Sequence, residues 1–113
     1  MKSNVQIQQG DVCLERVDLP VGVNLKRVEP RNGRLILVDG EHTGHAHEVR
    51  NEDIGGVALL EAEDKRLFLQ VEDKPVTVVH PEHGPVTVPP GVFEVGRVYE
   101  HDYLRNMRRQ VQD

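Results

Sequence analysis

At 113 residues the chain is long enough for one domain (1–113) with a single modest core and too short for two. Its net charge of −5 with neutral histidines, with two Phe, two Tyr and no Trp, speaks against nucleic-acid binding, which needs a basic face and stacking platforms. The lone Cys13 excludes an internal disulfide and fits a reducing cytoplasm, the first residues lack the apolar core of a signal peptide, and no apolar run approaches the length of a membrane span.

The first expected element is a strand over 12–17, after a turn at Gly10-Asp11, with Val12, Leu14 and Arg16 on one face. Leu19-Pro20-Val21-Gly22 breaks any regular structure. Asn32-Gly33 is a strong hairpin-turn signal and leads into the apolar run Leu35-Ile36-Leu37-Val38, typical of a buried strand. Further strands follow over 45–50, 57–62, 66–71, 76–80, 86–88 and 92–100, separated by turn residues such as Asp73-Lys74-Pro75 and Pro89-Pro90-Gly91. Short strands at this spacing indicate an all-β sandwich or small barrel. Leu104, Met107 and Val111 recur at helical spacing in the tail and suggest a short C-terminal turn or helix.

The chemistry concentrates in two histidine stretches. In the first, Gly40-Glu41-His42-Thr43-Gly44-His45-Ala46-His47-Glu48, three of the six histidines fall within six residues. If Ala46 is extended, His45 and His47 project from the same face with bases roughly 7 Å apart, which lets two imidazoles converge on one ion. Candidate third ligands nearby are His42, Glu48 and Glu52. Glu48 points away from His47 in a regular strand, and Glu52 reaches back only if the chain turns after Arg50. The competing reading is a polar loop whose histidines are solvated or bonded to carbonyls.

The second stretch is His80-Pro81-Glu82-His83-Gly84-Pro85. His80 continues the row of Val76 and Val78, and His83 is expected in a turn fixed by Pro81, Gly84 and Pro85. A hairpin turn with two exposed histidines is the alternative. If both stretches meet, three or four imidazoles surround one cation. Three ligands with an open position suit catalysis, whereas four closed ligands suit structural zinc. Zinc, iron, manganese and nickel all accept imidazole and carboxylate, so the ion is not specified. Cys13, within an expected strand, reads as a small core residue, and Arg105, Arg108 and Arg109 read as a solvated basic patch.

The spacing resembles that of cupins. Gly40, His45, His47, Glu52 and Gly55 follow the order of the first cupin motif, with Gly40 one residue too close to His45 and Gly55 nearer to Glu52 than usual. Gly84 and Pro89-Pro90-Gly91 resemble the second, with Glu94 at the position of its histidine. Either Glu94 takes that place, or His80 or His83 does, or the chain is not a cupin. The whole chain is also similar to a family of small uncharacterised bacterial and phage-encoded proteins with the pieces Gln9-Gly10-Asp11-Val12, Thr43-Gly44-His45-Ala46-His47, His80-x-x-His83-Gly84-Pro85, Pro90-Gly91-x-Phe93 and a tyrosine near Tyr99. That second resemblance implies a full-length domain and no mechanism.

The expectation is therefore a β domain, cupin-like in outline, holding a divalent metal through His45 and His47, with His83, His80, Glu52 or His42 in support. If it is a cupin-type metalloenzyme with a small-molecule substrate, the ion would polarise a substrate oxygen or activate water or dioxygen. The alternative is a non-enzymatic accessory or structural module with a protein partner, its histidines binding structural zinc or shaping an interface. Edge strands of small β domains pair or are covered, which keeps a homo-oligomer among the expected states.

Overall fold

The alternating apolar residues build two antiparallel sheets in the computed structural model, which describes residues 6–39 and 45–97. The expected tail helix, Tyr99, the arginine patch and His42 lie outside the described residues.

The ten strands are β1 (Gln6–Gln9), β2 (Val12–Arg16), β3 (Leu25–Arg27), β4 (Leu35–Val38), β5 (His47–Val49), β6 (Val57–Ala62), β7 (Leu67–Val71), β8 (Val76–His80), β9 (His83–Val88) and β10 (Gly91–Arg97). The larger sheet runs β1-β2-β10-β7-β6-β3, and the smaller runs β4-β5-β8-β9. Among the described residues the sheets do not close on themselves, so the sandwich alternative holds and the barrel does not.

The core lies between the sheets. Leu14, Leu59, Leu69, Val71 and Phe93 from the larger sheet meet Leu35, Val49, Val76, Val78 and Val88 from the smaller. Each set follows the period of two that sends alternate side chains to one face. Between Arg31 and Arg34, Asn32 (φ 51°) and Gly33 (φ 75°) both adopt positive φ, the signature of a two-residue hairpin turn whose twist matches the strands.

Several expectations need correction. β1 and β3 are strands although Gln6-Ile7-Gln8-Gln9 and Leu25-Lys26-Arg27 lack an apolar alternation. A 3-10 turn over Asn51–Gly56 replaces the simple turn expected after β5. The second histidine stretch is a tighter hairpin than its prolines suggest. Only Pro81 and Glu82 form the turn, and His83 is the first residue of β9, paired across from His80.

Antiparallel pairing of β5 with β8 fixes the layout of the site. Glu48 pairs with Val79 and Val49 with Val78, so His47 and His80 lie at the same end. The hairpin to β9 adds His83 there. On the larger sheet, the β1–β2 turn holds Gly10 and Asp11 between the paired Gln9 and Val12. Contacts between β1 and β9 bring that turn against the histidine hairpin.

Candidate metal-binding corner

His47 is the inward residue that begins β5, in the same row as fully buried Val49, and only 3% of its surface is exposed. A buried imidazole needs partners for its ring nitrogens. His47 Nδ1 lies 2.8 Å from Gln9 Oε1, and its Nε2 lies 3.5 Å from Asp11 Oδ1. Gln9 is itself 4% exposed. Its amide nitrogen donates to the carbonyls of Val78 at 3.0 Å and Gly84 at 2.9 Å. One side chain thus ties β1 to both arms of the β8–β9 hairpin. Among the described residues no buried side-chain nitrogen or oxygen lacks a partner.

His80 sits between the rings of two other histidines. Its centroid is 4.2 Å from that of His47 and 4.6 Å from that of His83, and the His47 and His83 rings are nearly parallel at 6.0 Å. His83 lies over Gly10. A Cβ on Gly10 would fall 2.4 Å from His83 Nε2, so the ring occupies space that only glycine leaves open. Gly10 also has φ +58°, where other residues are strained. His45 stands edge-on to His80 with centroids 6.0 Å apart, and its Nδ1 lies 3.1 Å from Glu82 Oε1. The backbone N–H of Glu82 donates to His80 Nδ1 at 3.0 Å.

The electrostatics favour the neutral form of His47 and His80. Burial lowers the pKa of His47, and the neighbouring His80 and His83 lower it further against an opposing pull from Asp11. His80 is lowered too, first by desolvation and then by His83, with Glu82 opposing. Burial raises the Cys13 thiol, with Glu15 adding to the effect, so Cys13 is not an activated nucleophile.

The sequence candidates fall into three groups. His45, His47, His80 and His83 come together at one end of the smaller sheet. Glu52 does not join them. It is exposed in the 3-10 turn, with its carboxylate 3.8 Å from Arg50 Nε. The N–H of Arg50 donates to the carbonyl of Thr77, at the opposite end of β8 from His80. The chain does turn after Arg50, but away from the histidines. Glu94 is likewise elsewhere, paired with Glu15 and Phe68 and on the opposite face of β10 from buried Phe93. His42 lies outside the described residues.

Sequence reasoning missed Gln9 and Asp11 as parts of the site. Their signal was present in the stretch Gln9-Gly10-Asp11-Val12, but only the fold shows what the turn faces. Beside the corner, a cleft of ≈ 370 Å³ is lined by Arg34, Ala46, Glu48, Val79, His80 and Pro81. His80 therefore borders both the imidazole cluster and an open cleft. The Arg34 guanidinium grips Glu48 there, with Nε 3.0 Å from Oε2.

Among the described residues no set of three or more His, Cys, Asp or Glu side chains has the geometry of a metal-holding group. None of their helices is long and apolar enough to cross a membrane. These features describe a two-sheet antiparallel β protein with a histidine-lined corner. The chain belongs to a family described as a domain of unknown function, DUF8820, whose model matches residues 8–98, a span that includes every residue of the corner. No curated protein and no solved structure matches it.

Proposed function

We propose that this corner binds one divalent transition-metal ion through His47, His83 and the Asp11 carboxylate, with His80 and His45 as the adjoining imidazoles. The observation that carries this reading is the meeting of three separate elements: β5 and the β8–β9 hairpin supply rings, and the β1–β2 turn supplies a carboxylate 3.5 Å from His47 Nε2. Two imidazoles on one tetrahedral ion at about 2.0–2.1 Å have centroids roughly 5 Å apart. The His47 and His83 rings are 6.0 Å apart with His80 between them, so binding requires His80 to shift as their nitrogens converge on one ion. Mixed imidazole and carboxylate donors suit zinc, iron(II), manganese or nickel.

His83 is exposed and His80 faces a cleft, so the site is open on one side. An open site favours an exchangeable ion that polarises a small substrate or activates water over a closed structural zinc. The cupin likeness then rests on the first motif, with Asp11 in place of Glu52 as carboxylate. Cys13, present as a free thiol, fits the reducing cytoplasm in which we place the protein.

Untagged protein loaded with zinc and dialysed is expected to retain one equivalent by elemental analysis. EDTA is expected to remove it while the circular dichroism of the fold persists. His83→Ala and Asp11→Asn, both at exposed positions, each weaken retention about 10-fold or more by removing a donor. Full retention in a His47→Ala/His83→Ala double variant overturns the assignment.

A further inference from the structure

We propose that Gln9 is a positioning residue that decides which nitrogen of His47 faces the corner. The inference rests on hydrogen-bond logic, and its link to metal affinity rests on the reading given above. The Gln9 amide has two donors and one acceptor oxygen. Both donors are taken by backbone carbonyls, Val78 at 3.0 Å and Gly84 at 2.9 Å. Carbonyls accept and never donate, so the amide nitrogen must face them. The reversed amide would set its oxygen against two other oxygens in a buried space. Gln9 Oε1 is thereby committed to His47 Nδ1 at 2.8 Å. An amide oxygen also only accepts, so Nδ1 carries the proton.

In a neutral imidazole the other nitrogen then holds the lone pair. That nitrogen is Nε2, on the side of Asp11. A free histidine side chain prefers the opposite tautomer, with the proton on Nε2. Gln9 therefore reverses the intrinsic preference and presents a metal-ready lone pair. A ligating histidine whose remaining N–H is fixed by an oxygen is both oriented and made more basic. The carbonyls that hold Gln9 belong to the hairpin carrying His80 and His83. Seating of that hairpin and orientation of His47 are thus set by one side chain.

The test is the tautomer of His47 in metal-free, 15N-labelled full-length protein, read from long-range 1H–15N correlations of the ring. Nδ1 is expected to show the shift of a protonated nitrogen and Nε2 that of a lone-pair nitrogen. The reverse pattern in the wild type overturns the proposal, whatever the variants do. Gln9→Glu keeps an acceptor for Nδ1–H and is expected to preserve the pattern while lowering stability, because its carboxylate meets two carbonyls. Gln9→Met removes the acceptor, mixes the tautomers and weakens zinc binding about 10–100-fold. A Gln9→Met protein that loses stability yet keeps both the tautomer and the zinc affinity shows a merely structural role and also overturns the proposal. If the wild type has the expected tautomer and zinc does not bind, Gln9 still selects the tautomer and only the metal reading falls.

Discussion

The middle of the sandwich and its histidine corner are built by one rule with different consequences. In the middle, alternate residues of β5, β8 and β10 bury Val49, Val78 and Phe93, and no partner beyond close packing is needed. One step along the same rows, the alternation buries His47 and places His80 against it. There packing is insufficient, because imidazole nitrogens cut off from water need hydrogen-bond partners. β1 supplies an acceptor for Nδ1–H through Gln9, and Nε2 is left facing the Asp11 carboxylate of the neighbouring turn. A strand pattern alone therefore determines that a residue is inside. What that residue does depends on the element facing the end of its strand.

The sharpest way to test this contrast is to damage each region separately. Phe93→Ala opens a cavity at a fully buried site in the middle. It is expected to cost about 3–5 kcal/mol of unfolding free energy, read as a lower midpoint in urea. Zinc affinity of the fraction that remains folded is expected to stay unchanged, because no corner residue is touched. Gly10→Ala does the converse. It forces a positive φ on alanine and drives a methyl into the His83 ring. The left-handed backbone costs about 1–2 kcal/mol. The larger consequence is displacement of His83, so zinc affinity is expected to fall by more than the stability change suggests. Unaltered zinc binding in Gly10→Ala removes His83 from the ligand set.

The same contrast explains what could be read from the chain. β2, β6, β7, β8 and β10 announce themselves through Val and Leu at period two, β4 through a continuous apolar run after the Asn32-Gly33 turn, and β5 through the spacing of His45 and His47. β1 and β3 do not. Gln6-Ile7-Gln8-Gln9 is mostly polar and Leu25-Lys26-Arg27 is short and basic, as suits strands at the sheet's edges. The two histidine stretches were legible as clusters, and antiparallel pairing of β5 with β8 brings them together. Glu52 was misplaced because chain proximity to His47 says nothing about which end of the strand it leaves from. Gln9 and Asp11 escaped because they precede His47 by more than thirty residues, and only the packing of β1 against β9 makes them neighbours.

Acid titration tests the corner on its own. His47 and His80 both hold folded pKa values below the ordinary 6.5, so below that pH the unfolded chain binds protons that the folded chain refuses. Their contribution to stability is complete above 6.5 and is lost as pH falls through the lowered values. The urea midpoint of metal-free protein is expected to decline over that interval. Asp64, whose pKa is lowered from 3.8, acts only at more acidic pH and leaves this window to the histidines. His80→Asn is expected to flatten the decline in part, by removing one titrating ring and its effect on His47. An identical slope in that variant indicates that neither ring is held neutral by the other.

The smallest effect belongs to the outer face of the smaller sheet. Arg34 and Glu48 form a close ion pair there, and the arginine is about half exposed. A pair with its arginine this exposed contributes up to about 1 kcal/mol, because water screens the guanidinium even though Glu48 is largely covered. Arg34→Ala is therefore expected to move the urea midpoint slightly and to leave zinc affinity alone. The cleft beside His80 has Arg34 as one wall, so the substitution widens it without touching a proposed ligand. A large loss of zinc affinity in Arg34→Ala would mean that Glu48, once released, competes for the histidines across the strand. The separation between the two faces of β5, on which the corner's independence depends, would then fail.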